Sequence, residues 1–272
     1  MLRPIEGTAR EYEYRRLSVL GDIVGGRLQA VCVPDEGLTQ YTTPRAEFCN
    51  NTRTLHPGDT VPRTELTALL YNAGYARRAQ VDGPGQFSIR GDIVDLYAPD
   101  MKLPVRMEFW GDEIDTMHTF DLATQRREDP IEKIYVSPAR EVLFGSPAEA
   151  AELLRAFIKK FRGKKRTALE ACLATELAQL DGGALPVNMD KYLAVRYPQP
   201  ATLLDYFDDP LLVLEEPASL REAERATTYR RGEEISALLQ DGVLAAGLDN
   251  LYAEIFVHIH RQSTAVDRKS VV

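Results

Sequence analysis

A run of short β-segments between residues 76 and 120 is the feature that most limits what this chain can fold into. Apolar and polar residues alternate along the run, and turns containing glycine or proline interrupt it. The predicted strands cover residues 76–81, 86–90, 92–97, 104–110 and 113–120. Gly111-Asp112 joins the last two strands by a tight turn, which is a strong hairpin signal. With a helix predicted over 62–74, the run indicates a small α+β domain with a curved antiparallel sheet.

The residues on either side of this run have a mixed α/β pattern. Helices are predicted over 11–20, 35–41, 148–161, 167–180, 219–229 and 248–260, and strands over 27–33 and 211–215. This order is typical of a parallel α/β sheet. We therefore predict an α/β fold in which a partial parallel-sheet lobe is split in sequence by the inserted domain. The lobe's truncated first part covers residues 1–49, the inserted α+β domain 50–137 and the lobe's second part 138–266, and residues 267–272 are expected to be a non-native tail.

Acidic residues outnumber basic residues by 41 to 33 among the 272 residues, so the formal net charge is −8. A chain this acidic lacks the broad positive surface that extended contact with nucleic acid needs. No apolar run has the length of a membrane span, and residues 1–13 lack the apolar core of a signal peptide. The three cysteines have no metal-ligand spacing and are predicted to be reduced, mostly buried thiols. Together these observations predict a cytoplasmic protein without a membrane partner.

Residues 159–166 form a basic cluster in this acidic chain. The ordinary interpretation of such a run is a solvated helix end, where cations interact favourably with the negative end of the helix dipole. The alternative is a contact with phosphate groups or with another domain. The cluster consists of Lys159, Lys160, Arg162, Lys164, Lys165 and Arg166.

The sequence contains no motif for catalysis or metal binding. Its glycine pairs lack the spacing and the lysine of a phosphate loop, which argues against nucleotide hydrolysis by this chain alone. The carboxylates of residues 92–115 interleave with basic residues, as is ordinary on a solvated sheet face. His258 and His260 lie in a predicted helix, where residues two apart diverge, so they are not expected to share a metal ion. We therefore predict no catalytic residue, no metal ion and no cofactor for this chain.

The alternation in residues 104–110 separates the side chains of one strand into two faces. Val105, Met107 and Phe109 share one face, and Arg106, Glu108 and Trp110 share the other. If the apolar face lies on the domain core, Trp110 and Arg106 point outward, and by the same argument so does Arg90. An outward tryptophan flanked by arginines is typical of a protein–protein hot spot. The alternative is that Trp110 packs beneath the neighbouring lobe, with the arginines paired to Glu108 and Asp92.

Residues 63–127 resemble a small inserted domain that the transcription-repair coupling factors share with the excision-repair subunit UvrB. The resemblance rests on AGY at 73–75, GQFSIRGDIVDLYAP at 85–99, PVRMEFWGDEID at 104–115 and TFDLATQRR at 119–127. Weaker similarity extends from about residue 14 to residue 259. The Gln-Arg pair at 125–126 favours the coupling-factor family over UvrB, which typically has Thr-Gly there. The alternative is a fragment of a UvrB-type, ATP-dependent helicase subunit that binds damaged DNA.

The resemblance implies a function in transcription-coupled nucleotide excision repair. A coupling factor removes stalled RNA polymerase with an ATP-dependent DNA translocase and recruits UvrA. The part represented here resembles the UvrB-like module that binds UvrA. The translocase, with its ATP and Mg²⁺, and the domains that contact RNA polymerase and DNA are expected to be absent from this chain. The family's UvrA-binding positions match Arg90, Arg106 and Trp110, with Glu108 supporting Arg106, although the family commonly has phenylalanine at the position of Trp110.

Overall fold

The structure is a computed structural model that describes residues 9–186, 189–245, 247–254 and 256. The chain divides into two compact units. In the described residues, the first unit comprises 9–27 and 46–145, and the second comprises 28–45 and the residues from 146 onward. The mixed α/β class predicted from the sequence is confirmed. The finer domain boundaries at residues 49 and 137 stay a prediction.

Two sheets form the framework of the first unit. The strands of the larger sheet lie side by side in chain order, and all neighbours are antiparallel except the first pair, β2 and β3, which is parallel. These strands are β2 (Ala76–Arg77), β3 (Gln86–Arg90), β4 (Ile93–Tyr97), β5 (Val105–Trp110), β6 (Glu113–Phe120) and β7 (Arg127–Pro130). The smaller sheet pairs β1 (Arg53–Leu55) with β8 (Ile134–Val136) in antiparallel orientation.

Helices contribute buried apolar side chains to the first unit. The helix α4 (Arg63–Asn72) buries Leu66 and Leu70 in a cluster with Phe87 of β3 and Met107 of β5. Leu17 of α1 (Ala9–Val24) is also completely buried. The short α3 (Arg45–Asn50) precedes β1. Because one face of the larger sheet is the wall of the apolar core, its polar side chains are confined to the opposite face.

The described part of the second unit is mostly helical. Its helices are α2 (Asp35–Thr39), α5 (Pro147–Lys159), α6 (Gly163–Asp181), α7 (Leu193–Arg196) and α8 (Pro217–Gln240), with 3₁₀ turns at Asp190–Tyr192 and Leu203–Tyr206. Isolated bridges join Thr42 to Ala201 and Gln40 to Tyr252. No described helix of either unit is long and apolar enough to cross a membrane.

Several elements predicted for the flanking regions are wrong. Residues 27–33 and 211–215 form no strand, so the parallel sheet predicted there is not found in the described residues. A strand needs a neighbour for its backbone hydrogen bonds, and no described strand pairs with either segment. Residues 248–254 are irregular rather than helical, and the rest of that predicted helix, including His258 and His260, lies outside the described residues. The predicted tail at 267–272 also lies outside them.

The cysteines are more accessible than the sequence indicated. Cys32 and Cys49 are exposed and Cys172 is half-buried, so the prediction of mostly buried thiols is wrong. Cys32 lies in the segment that was predicted to be a strand, where no neighbouring strand covers it. All three are free thiols.

Candidate functional site

The two faces of β5 differ as its alternation predicts. Val105, Met107 and Phe109 are buried in the core of the first unit. Arg106, Glu108 and Trp110 lie on the opposite face, because successive side chains of a strand point to opposite sides. We call this opposite side of the larger sheet the outer face. It is the candidate functional site.

Trp110 projects from the outer face into solvent. Its exposed fraction is 84%, the largest among the described large apolar side chains. It is the last residue of β5 and pairs with Glu113 across a tight turn, in which Gly111 has φ +64°, a conformation that side chains disfavour. Its own unit therefore leaves the ring of Trp110 uncovered.

A buried carboxylate on β4 binds the two arginines. Asp95 is fully buried although it lies on the outer face. Arg106 donates from Nε to Oδ1 at 2.7 Å and from Nη2 to Oδ2 at 3.0 Å, and Arg90 donates from Nη2 to Oδ2 at 2.6 Å. The contact with Arg106 is therefore bidentate, which is the strongest geometry for this pair of groups. The three side chains form one charged cluster with one negative and two positive groups.

Arg106 is held more firmly than Arg90. Its guanidinium also donates from Nη1 to the backbone oxygen of Gln125 at 3.2 Å and lies 4.7 Å from the centre of the Phe120 ring. Only 12% of the Arg106 side chain is exposed, against 43% for Arg90. The hydrogen bonds to Asp95 raise the pKa of Arg106 above its ordinary value. Arg106 therefore stays charged and fixed, and Arg90 presents more of its side chain to solvent.

A turn between β6 and β7 supplies the Gln125 oxygen. The backbone N–H and the hydroxyl of Thr124 both donate to the carboxylate of Asp121 at 2.7 Å. These hydrogen bonds lower the pKa of Asp121. Gln125 then adopts φ +59°, which is uncommon for a residue with a side chain. The turn thus directs a backbone carbonyl at the Arg106 guanidinium.

Glu108 does not support Arg106 as predicted. Glu108 forms an ion pair with Arg127 of β7 instead. The register explains the difference, because Asp95 lies directly opposite Arg106, whereas Glu108 lies opposite Ile93 in the next row of the sheet. Directly opposed residues have the closest side chains, so the acidic residue on β4 binds Arg106.

Asp95 is the residue of the candidate site that the sequence analysis does not predict. The sequence pattern places it with the other carboxylates of residues 92–115 on a solvated face, whereas it is fully buried. Asp92, by contrast, is exposed and pairs with Arg63 at 2.6 Å. The one available signal was the position of Asp95 within the apolar segment Ile93–Tyr97, where an unpaired acid would be costly to bury.

The basic cluster of residues 159–166 lies in the second unit, at the turn between α5 and α6. All six basic residues are exposed. Arg166 pairs with Glu170 at 2.8 Å. The described residues contain no group of histidine, cysteine or carboxylate side chains that could hold a metal ion.

Comparison with known proteins tests the resemblance seen in the sequence. Residues 54–142 match the model of the UvrB interaction domain family. The matched range includes the outer face with Arg90, Asp95, Arg106 and Trp110. The resemblance predicted from the sequence motifs is therefore confirmed.

Curated relatives of the whole chain carry the name transcription-repair-coupling factor. The protein of Bacillus subtilis (strain 168) is 29% identical over 240 residues, which is 85% of this chain and 20% of the relative. The protein of Staphylococcus haemolyticus (strain JCSC1435) is 31% identical over 221 residues, which is 77% of this chain and 18% of the relative. This chain thus spans about a fifth of the length of these curated relatives.

Proposed function

We propose that this chain is a UvrA-docking module that acts in transcription-coupled nucleotide excision repair. The match of residues 54–142 to the UvrB interaction domain supports a protein-binding role for the first unit. The name of the coupling-factor relatives supports the repair pathway. In this proposal the chain contributes binding, and the ATP-dependent translocase and the contacts with RNA polymerase belong to other parts of a coupling factor.

The exposure of Trp110 is the observation that carries the proposal. A large aromatic side chain that is 84% exposed at the end of a strand buries little apolar surface in the free fold. Such a side chain gains much apolar contact when a partner covers it, and tryptophan is enriched among the residues that dominate binding energy. We assign Trp110 as the apolar anchor for UvrA.

Arg90 and Arg106 have different roles in this proposal. Arg90 keeps 43% of its side chain exposed beside Asp95, so it remains available to donate to an acidic group of UvrA. The Arg106 guanidinium is occupied by Asp95 and by the Gln125 carbonyl. Arg106 therefore acts mainly as a positioning residue, because it holds Asp95 and thereby the neighbouring Arg90 in place.

Binding of UvrA to single variants of the whole chain tests these roles. We expect Trp110→Ala and Arg90→Ala each to weaken binding by about 2 kcal/mol, in the range of hot-spot residues. Tyr229→Ala is a matched control, since Tyr229 is an aromatic residue of the second unit with 72% exposure. Arg225→Ala controls for the loss of one exposed positive charge. Isothermal titration calorimetry measures the four affinities.

The controls define the result that would overturn the proposal. If Trp110→Ala binds UvrA as tightly as Tyr229→Ala, the outer face is not the docking surface. If the unchanged chain does not bind UvrA at all, the proposed partner is wrong. Thermal unfolding of each variant separates loss of binding from loss of structure, and the exposure of Trp110 predicts an unchanged midpoint for Trp110→Ala.

A further inference from the structure

The six basic residues of the cluster at 159–166 are concentrated in one turn of the second unit. Lys159 ends α5, and Lys164, Lys165 and Arg166 begin α6. Apart from the Arg166–Glu170 pair, none of the six forms an ion pair with any residue that the structure describes. The chain as a whole has a net charge of −8, so this cluster is a positively charged segment in an acidic protein.

The start of α6 strengthens the positive potential of the cluster. The residue before the helix is Arg162, whose side chain does not cap it, and the first turn contains no acidic residue. The first backbone N–H groups of a helix lack intrahelical partners and carry the positive end of its dipole. Cations at that end are unfavourable for the helix in isolation. Lys164, Lys165 and Arg166 therefore occupy positions where a bound anion would relieve repulsion.

The aromatic residue within the cluster is not available to a partner. Phe161 is half-buried and packs edge-on against Phe157 at 5.1 Å between ring centres. It also lies close to Gly247, where an added Cβ would come within 2.6 Å of its ring. A half-buried ring packed in this way presents little surface for stacking on an unpaired base, as single-strand binding proteins require, or for insertion into a lipid surface. The cluster therefore offers charge alone.

We propose that the turn between α5 and α6 binds the phosphate backbone of duplex DNA without sequence preference. Duplex DNA carries one negative charge per about 1.7 Å of its length, so a segment with six exposed cations and no acidic residue is complementary to it in charge. Contacts to phosphates need no base recognition, consistent with a cluster of flexible lysines and arginines. The cluster belongs to the second unit and the outer face to the first, and this proposal does not depend on UvrA docking.

Salt-dependent binding of a short fluorescent DNA duplex to the whole chain tests this site. The logarithm of the affinity should fall with the logarithm of the salt concentration by about 0.9 for each phosphate that the protein neutralises. We expect Lys164→Gln/Lys165→Gln to lower the slope by about 2 and the affinity roughly tenfold at low salt. The matched control is Lys102→Gln/Lys133→Gln, which removes the same charge from two exposed lysines of the first unit.

Each outcome of this experiment decides the proposal. A larger loss of affinity in the cluster variant than in the control supports it. Equal losses of affinity in both variants overturn it, because binding would then depend on the overall charge of the chain and not on the cluster. If the unchanged chain does not bind the duplex, the proposal is also overturned. Tighter binding to phosphatidylserine vesicles than to DNA, with the same lysine dependence, also overturns it in favour of a lipid surface. Circular dichroism checks the fold, and Lys159→Gln/Arg162→Gln replaces the first variant if that one unfolds.

Discussion

At the scale of single residues, Asp95 is the group on which the outer face depends. Its carboxylate is fully buried and bound by two guanidinium groups. A buried charge that loses one partner is strongly destabilising, because the remaining charge is left with incomplete compensation. The pairing therefore fixes the positions of Arg90 and Arg106 and at the same time makes both dependent on Asp95.

Arg106→Ala is expected to lower the free energy of unfolding by about 3 kcal/mol, because Asp95 would keep Arg90 as its one remaining charged partner. Urea unfolding followed by circular dichroism measures the change, with Arg225→Ala as a control at an exposed arginine. The double variant Asp95→Asn/Arg106→Met, which removes both charges, should recover part of the loss. Wild-type stability in Arg106→Ala would show that Arg90 alone satisfies Asp95.

Asp100 is another carboxylate of the first unit, with a side chain that is only 6% exposed, and it predicts a dependence on pH. Burial raises the pKa of Asp100, although hydrogen bonding and the charge of Arg27 act in the opposite direction. A raised pKa in the folded state means that ionised Asp100 reduces stability at neutral pH. This reduction disappears as the pH falls through the raised pKa towards the ordinary value.

The asparagine in Asp100→Asn does not titrate, so this variant lacks the pH dependence that comes from Asp100. The unfolding free energy of the unchanged chain should therefore rise relative to that of the variant as the pH is lowered. The measurement is the difference in unfolding free energy between the two proteins over a pH series, which cancels the titration of other groups. A difference that is constant from neutral to acidic pH would show that the pKa of Asp100 is not raised.

At the scale of elements, the end of α4 depends on a glycine. Gly74 has φ +85°, and an added Cβ would lie 3.0 Å from the Cβ and Cγ atoms of Arg140. Gly58 has a similar φ of +89° but open space around it. Both substitutions to alanine introduce backbone strain of about 1–2 kcal/mol, and Gly74→Ala should be more destabilising because it also adds the contact. Thermal unfolding of the two variants compares them, and equal midpoints would exclude a role for Arg140.

Local sequence pattern predicted the strands of the larger sheet closely but not the elements of the flanks. Between residues 86 and 120, the alternation of apolar and polar residues identifies the strands and the tight turns mark their ends. The bounds of β3, β4, β5 and β6 are therefore within one residue of those predicted. Residues 27–33 have an equally apolar sequence, but a strand forms only where another strand pairs with it. The Asp95 cluster could not be predicted, since it requires the register between β4 and β5. The outward direction of Trp110, by contrast, could be predicted from the alternation of apolar and polar residues alone.

At the scale of the whole molecule, the first unit is built from two separate stretches of sequence. Leu17 and Leu20 of α1 are almost completely buried, although residues 28–45 belong to the second unit. A fragment limited to residues 50–137 would therefore leave out part of this unit's buried apolar surface. Binding experiments on the outer face are better made with the whole chain for this reason.

Leu17→Ala should lower the unfolding free energy by about 3 kcal/mol, as for other large-to-small changes in a core. Val19→Ala is the matched control on the same helix, because Val19 is 38% exposed. Hydrogen exchange at the amides of β4 and β5 reports on the first unit specifically. If Leu17→Ala leaves that exchange unchanged, α1 contributes nothing to the stability of the sheet.

Trp110 is the single tryptophan of the chain, and this gives the molecule an intrinsic optical label at its proposed docking surface. Indole fluorescence is red-shifted in water and shifts to the blue when the ring is enclosed. Emission from the free protein should therefore resemble that of a solvated indole even when the chain is fully folded. A blue shift on adding a tryptophan-free fragment of UvrA would report occupation of the outer face directly, without a dye.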